Sequence, residues 1–151
     1  WFRFIYRNSR LLEINPEKAF EMIVKDINSY FGKAFEKLAA EFFIEMNRKG
    51  LLDFEFMDIG RWWYRNEEID LIALNGEKKE IFFFECKWSS LNAYEVEILL
   101  AELKRKATLV KWHNARRKER YGVFAKDIDE KEMLKGRGYL VFDLRDFRNF
   151  Y

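Results

Sequence analysis

Three ionisable residues stand where an extended chain should be apolar. Asp70 interrupts the run EIDLIAL over residues 68–74, and Glu85 and Lys87 interrupt IFFFECKW over residues 81–88. Burying a charge is costly unless it is paired or bound to a metal. Strand residues two apart share a face, so Glu85 and Lys87 point the same way. Asn75-Gly76 lies between the two runs and is a strong hairpin signal, which folds Asp70 back beside Glu85. Two adjacent carboxylates repel each other when both are ionised, and a divalent cation removes that repulsion. An ammonium in the same space can stabilise a developing oxyanion or acidify an attacking water. This is a layout for phosphodiester hydrolysis. The same residues are also compatible with a partly buried salt bridge of Lys87, or with a sheet edge whose charged face meets solvent. Glu-x-Lys recurs in Glu77-Lys78-Lys79 and Glu102-Leu103-Lys104. What separates Glu85-Cys86-Lys87 is the apolar strand it ends and the Asp in the strand before.

The donor inventory narrows the metal. A single cysteine, Cys86, excludes an internal disulfide and a cysteine-based zinc site, and a single histidine, His113, excludes the usual His-rich sites. Carboxylates hold hard ions, so the expected cofactor is Mg²⁺ or Mn²⁺. Cys86 alternates to the face opposite Glu85 and Lys87 and reads as an inert apolar residue.

The elements that must position these groups can be read from spacing. Asn15 suits a helix cap and Pro16 a first helical position, which predicts a helix over 16–28. A second helix is predicted over 29–49, ending at Gly50. Phe31, Phe35, Leu38, Phe42 and Met46 form its apolar stripe, and Glu36 lies beside that stripe. Strands are predicted over 54–65 (with a break at Gly60), 68–74 and 80–88, as an antiparallel meander. A helix is expected over 93–112, then a strand at 121–125, a short helix near 129–134 and a strand at 139–144. The fold class expected is α/β, with a mixed central sheet flanked by helices.

The chain has 151 residues, 19% aromatic and 36% charged, with nearly half its residues apolar. That suits one domain with a good-sized core. It has no Gln and one Thr beside abundant Lys, Glu and Arg, a profile of proteins from very hot environments. The net charge of +2 conceals a local +7 over residues 104–120, which leaves the remainder near −5. Lys104, Arg105, Lys106, Lys111, Arg116, Arg117, Lys118 and Arg120 are therefore the candidate phosphate-binding residues. A solvated helix end followed by a charged loop is the bland alternative. Trp62 and Trp63, flanked by Arg61 and Arg65, are weaker candidates for base stacking, because alternation sends the two rings to opposite faces. No apolar run approaches a membrane span, and no signal peptide is visible, so a cytoplasmic protein is expected.

The order of elements, with Glu36 in GKAFEKLAAEFF, Asp70 in EEIDLIAL, and Glu85 and Lys87 in FFFECKW, resembles the PD-(D/E)xK nuclease superfamily over roughly residues 29–126. The superfamily includes type II restriction enzymes and archaeal Holliday-junction resolvases. The resemblance implies a restriction-endonuclease-like core, with Mg²⁺ held by Asp70, Glu85 and the backbone carbonyl of Cys86. It further implies that Lys87 positions or activates the hydrolytic water and that Glu36 supports the site. Ile69 stands where the family name has proline. A closer resemblance, carried by WFRFIYRN, GKAFEKLAAEFF, GRWWYRNEEIDLIAL and FFECKW, is to the C-terminal domain of unknown function in archaeal P-loop ATPases. Those proteins carry a nucleotide-binding domain and a winged helix upstream. No GxxxxGK[ST] occurs in this chain. The expectation is a fragment in which residues 1–15 lead towards an upstream ATPase region and residues 16–151 form the nuclease-like domain, with DNA as partner and a homodimer as a further option. The rivals are a nuclease fold that binds DNA without cutting it, and a regulatory or dimerisation domain of the ATPase, with an aromatic interface through Trp1 to Tyr6.

Overall fold

The computed structural model describes residues 3–150. Trp1 and Phe2 lie outside the described residues. The element order is a 3₁₀ turn (Tyr6–Asn8), α1 (Ser9–Ile14), α2 (Pro16–Arg48), β1 (Asp58–Tyr64), β2 (Glu67–Asn75), β3 (Glu80–Leu91), α3 (Ala93–Ala107), β4 (Lys118–Ile128), α4 (Lys131–Gly136), β5 (Leu140–Phe142) and α5 (Leu144–Phe150). The five strands form one sheet in the order β1-β2-β3-β4-β5. The first two pairings are antiparallel and the last two parallel, so the sheet is mixed. Helix, three-strand meander, helix and strand follow one another as expected, and helices cover both faces. Among the described residues no helix is long and apolar enough to cross a membrane.

The two expected helices over 16–28 and 29–49 are one. Asn15 caps the helix by accepting from the Lys18 amide at 3.1 Å, and Pro16 is its first residue. No proline follows Pro16, Gly32 is carried inside the helix, and running through spares the chain two extra ends of unpaired amides and carbonyls. Its termination is as read: Gly50 takes a left-handed φ of +66°, which glycine adopts without a steric cost. Only the second half of α2 lies on the sheet, through Phe35, Ala39, Phe42 and Phe43. The first half carries α1, with Ala19 and Ile23 buried and Phe20, Tyr30 and Phe31 exposed.

Several boundaries differ from the sequence reading, β4 among them, which runs over Lys118–Ile128 instead of 121–125. Phe54 and Phe56 are buried, but in a loop; the first strand begins at Asp58 and passes through Gly60 without a break. The helix after β3 stops at Ala107, not near 112. Asn75-Gly76 does not make a two-residue turn. Asn75 pairs with Glu80, and residues 76–79 form the loop. The buried Asn75 side chain accepts from the Lys78 amide and donates to the Glu55 carbonyl, so Asn75 acts through its amide. Lys79, not Gly76, takes the positive φ. Helix α5 was not anticipated; at its start the Asp146 carboxylate accepts from the Asp143 amide and the Asp143 carboxylate accepts from the Arg145 amide.

The sheet separates an α2 side, where Leu71, Ala73, Phe82, Phe84, Cys86 and Phe124 pack, from an α3 side, where Ile69, Ile72, Ile81, Phe83, Leu103 and Ala107 pack. Gly122 of β4 lies between Phe84 and Leu140 in the pairing register. A Cβ there would sit 2.3 Å from both the Leu140 carbonyl oxygen and the Phe84 ring. Gly122→Ala should therefore cost ~3 kcal/mol, the upper end of overpacking penalties. Urea unfolding at constant m-value checks this.

Candidate functional site

The site forms where the β2–β3 ladder ends. Regular pairing runs from Asn75↔Glu80 to Leu71↔Phe84, which makes Asp70 and Glu85 the next rung. On the other side of β2 the register shifts. Gly60 pairs with Ile72 but Trp62 with Ile69, so Arg61 alone faces both Asp70 and Leu71. This is a β-bulge, a feature that re-aims side chains beside functional sites. Here the Asp70 Oδ2 accepts from the Cys86 amide at 2.8 Å, taking the place of a main-chain acceptor.

Glu85 and Lys87 share the α3 side, and the Lys87 ammonium donates to Glu85 Oε1 at 2.8 Å. The second Glu85 oxygen faces the Lys106 ammonium at 3.4 Å. The Glu85 side chain is 10% exposed and that of Lys87 40%, so Lys87 forms the wet end of the pair. Cys86 points to the α2 side among phenylalanines. Glu36, from α2, is 3.7 Å from Arg61, which also binds Glu68 at 3.0 Å.

Electrostatics records how close these groups are. Burial, then Glu85, pushes the Asp70 carboxyl up to about 6; Glu36 adds to the rise, while the Cys86 amide and Lys87 oppose it. Burial is the largest influence on Lys87 and works against its charge, but the hydrogen bond to Glu85 together with the charges of Glu85 and Asp70 outweighs it and holds the ammonium above its ordinary range. Burial pushes the Cys86 thiol well up, so it is protonated and inert at neutral pH. Among the described residues no cluster of three or more His, Cys, Asp or Glu side chains is suited to a metal. A cation here would have two carboxylates and a main-chain carbonyl. The Cys86 carbonyl projects towards the same neighbouring strand as the Cys86 amide, that is, towards Asp70.

The family described as archaea bacterial proteins of unknown function, DUF234, matches residues 1–123. The chain belongs to that family. Uncharacterized protein MJECL04 of Methanocaldococcus jannaschii is 42% identical over 149 residues, 97% of this chain and 32% of its own length. This DUF234 chain thus spans about a third of that relative. Among solved structures, a repair endonuclease from Pyrococcus abyssi aligns with 70% of this chain and 45% of its own, at a TM-score of 0.45 and 15% identity.

The basic segment of this DUF234 chain is less uniform than its sequence suggests. Arg117 is a correction: its side chain is 2% exposed and pairs with Glu119. Its guanidinium donates to the carbonyls of Val110, Trp112 and Ala107 at 2.6, 3.0 and 2.9 Å, and it lies over Phe83. It holds the α3–β4 loop together and is not available to a phosphate. Arg105 is bound by Glu102 and Glu67, Arg120 by Asp53 and Lys118 by Glu80. Lys104 donates to the Tyr139 hydroxyl. Lys111 and Arg116 are exposed and without an acidic partner among the described residues. Lys106 belongs to the site instead of the surface. Its signal was legible: it stands three residues after Leu103, on the buried side of α3.

Proposed function

We propose that this chain is a nuclease-type hydrolytic module acting on DNA with Mg²⁺ or Mn²⁺. The observation that carries the reading is the junction of Asp70 with Glu85 at the ladder end, with Lys87 hydrogen-bonded to Glu85. The donor set is all oxygen, which fits a hard cation held by Asp70, Glu85 and the Cys86 carbonyl. Bound there, such an ion polarises a phosphate and acidifies water. Lys87 enters the reaction protonated and half-exposed, placed to hold water or a phosphate oxygen. Lys106 keeps Glu85 oriented from the α3 side, and Glu36, anchored by Arg61, borders Asp70. Work alongside an upstream ATPase region, suggested by the sequence resemblance, belongs to the same proposal.

The test uses the purified chain with linear, branched and single-stranded DNA. Mg²⁺ should raise the melting temperature and support cleavage, and Glu85→Gln should lose both effects while remaining folded. Salt-sensitive DNA binding without turnover, across substrates and both metals, would instead make the chain a non-cutting nuclease fold.

A further inference from the structure

A cavity of about 380 Å³ opens on the α3 side beside β1. Its floor is Ile72, Leu74 and Ile81. Trp62 of β1 and Trp112 of the α3–β4 loop, both half-buried, line its walls. The cavity exists because of Gly60. Asp58, Gly60 and Trp62 alternate onto this side, and Gly60 pairs with Ile72. A Cβ at Gly60 would meet no atom within 4 Å. The missing side chain leaves a slot over Ile72 next to the Trp62 ring.

The surroundings indicate what enters. Lys111 lines the cavity, and Arg116 stands on the same loop, whose stretch TLVKWHNARR has no acidic residue. The loop is braced: Asn114 and Arg117 donate to the Val110 carbonyl and Arg117 to that of Trp112, which places Trp112 without a ligand. Such pre-ordering lowers the entropy cost of binding. Asp58, the carboxylate of the lining, is an acceptor for an exocyclic amine. Flat aromatic walls, an apolar floor and unpaired cations at the rim match a base with its phosphate. Ile72 is two residues from Asp70, ~7 Å along β2, so the slot adjoins the proposed hydrolytic site.

We propose that this slot takes an unpaired base of a single DNA strand, with Lys111 and Arg116 on the adjacent phosphates. The inference deepens the nuclease reading by naming its substrate class, single-stranded or locally opened DNA. It is tested in EDTA, so that loss of hydrolysis and loss of this site are told apart. Fluorescence anisotropy would follow a labelled single-stranded oligodeoxynucleotide and its blunt duplex, with deoxyadenosine monophosphate as competitor. Gly60→Leu fills the slot from a position free of neighbours, and Trp112→Ala removes one wall. Each should weaken single-strand binding roughly tenfold, within the range of one base stack, leaving duplex binding unchanged, and Gly60→Leu should also leave the melting temperature unchanged. Trp112→Phe should retain binding. Wild-type affinity in Gly60→Leu, or equal losses on strand and duplex, would overturn the proposal. Full displacement by the mononucleotide would overturn the strand assignment in favour of a free nucleotide.

Discussion

Asp70→Asn should melt higher than the parent chain in metal-free buffer at neutral pH, and should lose nearly all DNA cleavage. The carboxyl is pushed up to about 6 in the folded protein, from an ordinary value of 3.8. Folding therefore disfavours its ionised form. The penalty is absent below pH ~4, grows between ~4 and ~6, and is complete at neutral pH. A shift of that size corresponds to roughly 1–3 kcal/mol after allowance for partial exposure. Asparagine removes the charge and keeps an oxygen for the Cys86 amide. The parent chain should lose stability as pH rises from 4 to 7, the Asn variant much less, and Mg²⁺ should narrow the gap by stabilising the parent alone. Cleavage should fall on the order of 10³-fold, the scale of losing metal-borne charge stabilisation. Thermal melts across pH, with and without Mg²⁺, read the first effect and single-turnover cleavage the second. A variant that melts below the parent at neutral pH would remove the carboxylate repulsion on which the site rests.

The second large effect separates architecture from DNA contact within one basic segment. Arg117→Ala should destabilise the chain by ~3–5 kcal/mol, because it empties a buried guanidinium site, takes a charged donor from three carbonyls and Glu119, and leaves the Trp112 carbonyl without a partner among the described residues. For a domain of this size that is a fall of roughly 10 °C or more. Arg117→Lys should rescue little, since a point charge cannot reach three carbonyls in a planar fork. Lys111→Ala, a few residues away, should leave melting unchanged and weaken oligonucleotide binding with a shallower salt dependence. Paired melting and binding curves for the two variants test the division. Equal melting temperatures would return Arg117 to the phosphate-binding set.

The candidate site was legible because it violated a pattern. Asp70, Glu85 and Lys87 broke apolar strands, and period-two alternation placed Glu85 and Lys87 on one face and Cys86 on the other, as found. Asn75 announced the reversal of the chain, but the loop has four residues. The Glu55 carbonyl that its side chain binds is twenty residues away, beyond any local rule. Tertiary partners also decided the fate of the basic segment. Composition cannot distinguish Lys111, facing solvent, from Arg117, drawn inward by the carbonyls of Ala107 at the end of α3 and of Val110 and Trp112 in the loop after it. The continuity of α2 was misread for a related reason: Asn28-Ser29 favours a cap only where the chain has something to gain by stopping.

The doubled residue in β2 also constrains how this locus can change its length. Before the bulge Ile69 faces α3; after it, so does Ile72, three positions later. Deleting one of Asp70 and Leu71 would leave Ile69 and Ile72 two positions apart, so both would still face α3 in one unbroken alternation; deleting both would send them to opposite faces. A lineage that abandoned the chemistry could exchange the carboxylate for another side chain. It could lose one residue of the doubled pair but not both, because the oily interior on both flanks counts residues whether or not the acid is used.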